Sequence, residues 1–395
     1  MSTPPALLGG SPAFEPTLPV FRPTLPDYSD LEDEVRDMFR TGMLTAGPRA
    51  LEFEKRLAEH LRVEHAVCVS SCTIGLVLAY QALGLGGEVI VPSFTFMATV
   101  HPLVWNGATP VFADVDPETW NLDPIQVEKL ITPETTGIVA VHLLGTPANV
   151  EELQDLAERH DLKLVFDAAH GFGALHKGRP LGGNGNAEVF SATPTKVLTA
   201  ADGGVVATND AALAEHVRIA RNYGNPGDYG SDFPGLNARM PEFNAVVGMH
   251  SLQMLEGNVG RRQEIAATFY ERLGALGGIT FQRIEPDDRS SYKEFSILID
   301  EDVFGIDRNA LATALKADGI DCRFYYDPPV HEHKAYRHLE LRGDMTVTRD
   351  LCERTITIPI HSHMDDATVD KLCGAIERIN AHADEIKAIT STSVE

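Results

Sequence analysis

Cationic side chains are scarce in this chain: Lys and Arg number 33 against 57 Asp and Glu, a formal net charge of -24. Such an excess repels polyanions and argues against a nucleic-acid partner. A small phosphorylated ligand stays possible, because a local nest of backbone N–H groups holds phosphate even in an acidic protein. Cysteine is also sparse, with Cys68, Cys72, Cys322, Cys352 and Cys373 scattered and no C-x-x-C pair among them. An odd, dispersed set suits reduced thiols in a cytoplasm and argues against a disulfide framework or a zinc site. No apolar run reaches the roughly 18 residues of a membrane span, so no membrane partner is expected. The opening MSTPPALLGGSPAFEP lacks a basic region before an apolar stretch, so no secretory signal is expected. What is present is ordinary for a globular protein: 43% apolar and 23% charged residues over 395 positions, enough for two domains.

The rhythm of the chain divides it. Residues 1–26 are proline-rich and read as an arm over the surface. A helix is expected in DLEDEVRDMFRTG, and another in TAGPRALEFEKRLAEHL with Leu51, Phe53, Leu57 and Leu61 on one face. From His65, short apolar runs alternate with helical stretches: HAVCVS, EVIVPS, TPVFADVD, TGIVAVHLL and LKLVFDAAH each precede a helix or turn. One such helix is expected across TFMATVHPLVWNG. This alternation predicts an α/β fold with a mostly parallel sheet flanked by helices. The strands AEVFSAT and GGVVATND bracket TPTKVLTAAD, and a Gly/Asn/Pro-rich loop follows at YGNPGDYGSDFPGLNARM. A long helix from Phe243 to Leu273 is expected to cross between domains. The expected division is an N-terminal arm (1–30), a large domain (31–255) and a small α+β C-terminal domain (256–395).

Three features fall at strand ends or helix starts, where open α/β folds place ligands. SSCT at 70–73 offers N–H and O–H groups at a helix start, either to a phosphate or as a plain N-cap by Ser71 or Thr73. Asp167 ends the apolar run LVFD, where a carboxylate needs a cationic partner, an Arg or a protonated ring nitrogen. Lys196 follows a Ser/Thr-rich turn and precedes Gly203-Gly204. Singly, each has a structural explanation. In this order they supply what pyridoxal phosphate (PLP) requires: an anion cradle, a partner for the ring nitrogen and an amine for the aldehyde.

The sequence resembles the DegT/DnrJ/EryC1/StrS sugar aminotransferases, of PLP fold type I. The resemblance spans about residues 30–380 and is carried by LTAGPRALEFEKRLAEHL, AVCVSSCTIGLVLAYQALGL, EVIVPSFTFMAT, GATPVFADVDPETWNLDP, VFDAAHGFGA, FSATPTKVLTAADGG, GLNARMPEFNAVVG and YYDPPVHEHKAY. It implies that Lys196 holds the cofactor and moves protons, that Asp167 pairs with the pyridine nitrogen, and that His170 sits close to the ring. It implies that Phe96 stacks on the ring face, that Ser191, Cys72 and Thr73 lie at the phosphate, and that Asn237 reaches the phosphate of a neighbouring subunit in a homodimer. Tyr325 and His331 fall in the substrate-side loop YYDPPVH, and Arg239 is the candidate cation nearest by motif. The implied reaction carries nitrogen on the PLP/pyridoxamine-phosphate pair from L-glutamate to a nucleotide-linked keto sugar such as a dTDP-4-keto-6-deoxyhexose. A keto-cyclitol acceptor, or a PLP-dependent dehydratase or lyase reaction on the same scaffold, is the alternative.

This chain also departs from the family's pattern. Cys72 replaces a usual glycine, which would be strained if the position needed positive φ. Asp202 replaces a common glutamate, and Ala238 replaces an aromatic residue, a change expected on the substrate side. Related sugar dehydratases carry His at the lysine position, so Lys196 favours transamination. The HEH and HSH runs at 331–333 and 361–363 lack a completing carboxylate or cysteine, and no metal is expected.

Overall fold

The computed structural model describes residues 3–390; residues 1–2 of the arm and 391–395 of the C-terminal domain lie outside the described residues. The alternating runs become β1 (His65–Val69), β2 (Glu88–Pro92), β3 (Thr109–Ala113), β4 (Thr135–Val141) and β5 (Lys163–Ala168). A small antiparallel pair, β6 (Leu175–His176) and β7 (Arg179–Pro180), precedes β8 (Ala187–Ser191) and β9 (Gly204–Thr208). Seven strands form one sheet in the order β1-β9-β8-β5-β4-β2-β3. The pairs from β8 to β3 are parallel, whereas β9 is antiparallel to both β8 and β1. Six strands therefore share one direction and β9 alone opposes them. The cause is the connection: β8 reaches β9 through a segment with no crossover helix, and only antiparallel neighbours can be joined that way.

This arrangement brings the carboxyl ends of β1, β2, β4, β5 and β8 to one edge, together with the start of β9. Helix Cys72–Ala82 lies against β8 and β9 and buries Leu76, Leu78, Ala79 and Tyr80. Gly75 lets it approach, since a Cβ there would meet Val189 Cγ1 at 2.8 Å. The expected helix across TFMATVHPLVWNG is instead broken into a 3-10 turn (Met97–Thr99) and a short helix (His101–Trp105). Pro102 explains the break: it has no N–H to bond back and fits only a first helical turn.

A second, antiparallel sheet of β10 (Ile279–Phe281), β11 (Phe295–Ile299) and β12 (Thr355–Ile358) shares its own core with helices Arg308–Ala317 and Asp366–Ala381. Helix Glu242–Leu273 runs continuously between the cores. Its Leu255 and Val259 pack with the large sheet's helices, and its Ile265, Phe269 and Leu273 pack with the second core. The arm does more than lie on the surface. Ala13 and Leu18 are buried in the second core, and Leu18 exchanges backbone bonds with Gly319 and Asp321.

Helix Pro48–Leu61 corrects one expectation and yields a prediction. Leu51 is 58% exposed, while Ala50, Phe53, Leu57 and Leu61 are buried. Residues 50, 53, 57 and 61 follow the helical stripe, and residue 51 sits far around the axis from Phe53. The N-cap, Gly47, has no side chain to cap with, and a distant carboxylate substitutes. Glu242, fully buried, accepts from Gly47 N and Ala50 N at 3.0 Å and from Arg49 N at 2.9 Å. Glu242→Ala should therefore cost roughly 2–4 kcal/mol, several charge-assisted bonds being lost together. Urea titration of the purified protein measures this, and a loss below about 1 kcal/mol would mean water replaces the cap.

Candidate active site

A cavity of about 320 Å³ opens at the strand edge, lined by Ser71, Cys72, Thr73, Phe96, Thr99, Asp167, His170, Ser191, Thr193, Thr195, Lys196, Glu294, Tyr325 and Tyr326. A wider surface groove of about 910 Å³, between Glu128, Glu151, Asp155 and Asp287, contains none of the residues singled out above. We follow the chemistry to the smaller space.

Asp167 forms the floor. It is 4% exposed, its Oδ2 accepts from Thr99 Oγ1 at 2.7 Å and its Oδ1 from Ala169 N at 3.0 Å. Burial raises its pKa, and the Thr99 hydroxyl, the Ala169 N–H and nearby Lys196 offset part of that rise. The broken helix supplies Thr99: a continuous helix through 97–105 would have spaced these residues differently.

Lys196 faces the floor from the helix-free segment between β8 and β9. Lys196 N donates to Thr193 O at 3.0 Å, and the Ser251 hydroxyl anchors Thr199 N at 3.0 Å, so the lysine stands on a fixed turn. Burial, and then the charge of Lys293, lower its pKa to about 8. His170 is held neutral, its pKa pushed well below the usual range by burial first and then by Lys196. Its Nδ1 is buried without a partner.

One end of the cavity is a helix start, fit to hold a phosphate. Ser71 is the N-cap, in extended conformation with φ -164, and its hydroxyl accepts from Ile74 N at 3.3 Å. The capping explanation thus fits Ser71. The N–H groups of Cys72 and Thr73, in the first turn, have no carbonyl within the helix to meet. Cys72 is helical and outside the left-handed region, so it carries no strain from positive φ. Gly204 keeps this corner open: a Cβ there would lie 2.4 Å from Cys72 N. Ser191 and Thr193 add hydroxyls, 3.3 Å apart.

Several expected residues stand elsewhere. His331 is outside the lining: its Nδ1 lies 2.7 Å from Ser93 Oγ, which also accepts from His331 N at 3.0 Å. The turn at 330–332 is zipped to the end of β2, which draws the imidazole inward. Ala238 is not on the substrate side either, being fully buried with its carbonyl accepting from Ser70 N at 2.8 Å. Asn237 is exposed and bonded to Arg239 at 3.0 Å, and neither lines this chain's cavity. Arg239 also covers the Tyr223 ring at 5.4 Å. Among the described residues no cluster of metal-binding side chains exists, and no helix is long and apolar enough to cross a membrane. The sequence reading missed Thr99, Thr193, Thr195 and Glu294. The hydroxyls sat in quoted motifs, but nothing in the pattern marked Glu294 as buried.

The residues fit PLP: an orphan imidazole nitrogen, a buried carboxylate, a depressed lysine and an open helix start surround one space. The fold and site define a PLP enzyme of fold type I. The DegT/DnrJ/EryC1/StrS aminotransferase family profile matches residues 27–377. The chain is 34% identical to the dTDP-3-amino-3,4,6-trideoxy-alpha-D-glucose transaminase of Streptomyces venezuelae, covering 87% of this chain and 90% of that one. It is 32% identical to the dTDP-4-amino-4,6-dideoxy-D-glucose transaminase of Escherichia coli, over 82% and 88% of the two chains. Its fold is similar to that of DesI, solved in the presence of its TDP-sugar product, with a TM-score of 0.91, 37% identity and 99% of both chains covered. This chain belongs to the DegT/DnrJ/EryC1/StrS aminotransferase family and is a PLP-dependent aminotransferase.

A neutral amine is needed to bond an aldehyde, and a lysine lowered to about 8 is half neutral near that pH. The rate at which apoprotein captures PLP should climb with pH and level off above about 8. A climb continuing toward pH 10 would show that Lys196 is not depressed. Borohydride reduction at each pH, followed by peptide mapping, assigns the lysine.

Proposed function

We propose that this enzyme transfers the amino group of L-glutamate to a nucleotide-linked keto sugar, in a cytoplasmic homodimer whose active sites are shared. PLP supplies an electron sink that carries nitrogen from donor to acceptor. Lys196 Nζ would hold the cofactor through its aldehyde and, as a base, would move the proton at the donor carbon. Its lowered pKa suits that exchange near neutral pH. Asp167 holds the proton on the ring nitrogen, since a cation beside it removes the burden of its own burial. His170, whose Nδ1 has no partner, and Phe96, both in the lining, would hold the ring in place. Thr73, Ser191 and the first N–H groups of helix Cys72–Ala82 bind the phosphate, assisted by the helix dipole.

The observation that carries the acceptor assignment is the similarity to DesI across the full length of both chains, DesI being solved with its TDP-sugar product. The cavity is consistent with this reading. Its lining is mostly hydroxyl, aromatic and small side chains, with Lys196 as the only Lys or Arg among the described residues there. The dimer rests on a second observation. Leu44, Leu51 and Phe243 are exposed apolar residues beside the end of the Asn237 loop, where Leu44 O accepts from Glu242 N and Leu51 borders Arg239 and Met240. In this reading Asn237 reaches a neighbour's phosphate and Tyr325 contacts the sugar. Five free, buried cysteines agree with a reducing compartment.

Loading the protein with pyridoxamine phosphate and offering a dTDP-4-keto-6-deoxyhexose, a keto-inositol or pyruvate tests the acceptor. The visible band of the PLP form should return with the nucleotide sugar. Return with pyruvate or keto-inositol alone would overturn the assignment. For the shared site, Lys196→Ala subunits mixed with Asn237→Leu subunits should recover part of the activity, because one of the two sites in each mixed dimer is then intact. Mixed dimers with no recovery would rule it out.

A further inference from the structure

We propose that Glu294 reads the acceptor sugar: its free carboxylate oxygen accepts a hydrogen bond from the hydroxyl next to the carbon that receives nitrogen. The inference rests on the nucleotide-sugar reading above and assigns a specificity residue within it. Glu294 stands just before β11, a strand of the second sheet, and lines the cavity opposite the strand edge that supplies Asp167, Ser191 and Lys196. Its Oε1 is 2.5 Å from Lys293 Nζ, and the two side chains are 7% and 2% exposed. Its Oε2 is buried with no hydrogen-bond partner. A charged acceptor left unmatched in a dry wall is costly, and natural cores rarely keep one without a use.

The surroundings narrow the use. Glu294 shares the cavity lining with Lys196 and Tyr325, so it borders the space a substrate would fill. Lys293 is committed to Oε1 and lies 5.9 Å from the Phe21 ring of the arm, which fixes the pair in place. A carboxylate oxygen only accepts, so a phosphate or carboxylate oxygen brings nothing to bond it. A polyol can approach it, because each hydroxyl brings an O–H donor. The sugar ring therefore faces Glu294, and the diphosphate points away toward the cavity mouth. The Lys293–Glu294 pair as a mere structural tie would explain Oε1 but leaves Oε2 unused.

The experiment compares two acceptors on the pyridoxamine-phosphate form of the full chain: a dTDP-4-keto-6-deoxyhexose and its 3-deoxy counterpart. Its readout is the ratio of their kcat/KM values, because a structural defect slows both sugars alike and leaves the ratio unmoved. Calorimetric affinities of the two aminated products for the PLP form give the same ratio without turnover. Wild type should favour the hydroxylated sugar by about 30-fold, the range for a hydrogen bond to a charged group. Glu294→Gln keeps the shape and an oxygen for Lys293, and should narrow the preference to about threefold to tenfold. Glu294→Leu combined with Lys293→Met removes the pair without stranding a charge, and should bring the ratio to within about threefold of unity. A wild-type ratio already near unity overturns the inference, as does a wild-type preference that survives in Glu294→Gln and in whichever double variant folds. If wild type aminates neither sugar, the nucleotide-sugar reading itself has failed; if it aminates both equally, only the role of Glu294 has failed.

Discussion

Asp167 holds a carboxylate at the dry end of β5, and the architecture around it answers that one charge. Its two oxygens receive the Thr99 hydroxyl and the Ala169 N–H, and burial still wins, leaving its pKa raised. The remaining imbalance makes the site receptive to a cation at the floor, and a protonated ring nitrogen is one. Lys196, across the cavity, is pressed the opposite way by the same desolvation. One dry space thus disfavours both charges and leaves each group able to respond to a bound ring. Had the floor been wet, the carboxylate would need no partner and the lysine would stay protonated.

Such a space needs several chain segments to end at one place, and strand direction arranges it. Six parallel-running strands deliver their carboxyl ends together, and the helix-free link from β8 to the opposed β9 hangs Lys196 over the gap. The reversal also brings Gly204 beside the start of helix Cys72–Ala82, where any side chain would strike Cys72 N. The glycine is required here by the close approach of two backbones. Cofactor end, ring floor and lysine therefore all follow from one crossover that was left out of an otherwise alternating chain.

Most of this frame was legible in the sequence because the relevant signals are local. Apolar runs of strand length mark β1 to β5, β8 and β9, and Asp167 and Ser191 stand at their ends. What stayed illegible depends on which way a side chain turns after folding. His331 lies in a substrate-like loop, yet the same loop is pinned to Ser93, so the ring turns inward. Leu51 looked like a core residue by type, but the helical stripe through Ala50, Phe53 and Leu57 leaves it outside. Ala238 replaces an aromatic residue and was expected on the substrate side, whereas tertiary packing buries it. Lys293 and Glu294 look like exposed charges beside a strand, and only the meeting of arm, sheet and cavity buries them.

The charge of the whole chain bears on how it handles anions. A protein of net charge -24 whose cavity has Lys196 as its only Lys or Arg among the described lining residues cannot gather phosphates by bulk attraction. Instead, N–H groups at a helix start and a row of hydroxyls stand at fixed positions, an arrangement that holds phosphate irrespective of net charge. The nearby cations are already engaged: Lys293 by Glu294, and Arg262 by the carbonyls of Tyr292 and Ile360. Arg239 is held by Asn222 and Asn237 on the exposed side. Hydrogen-bond donors at fixed positions, rather than a pool of free cations, are what this lining offers an anion.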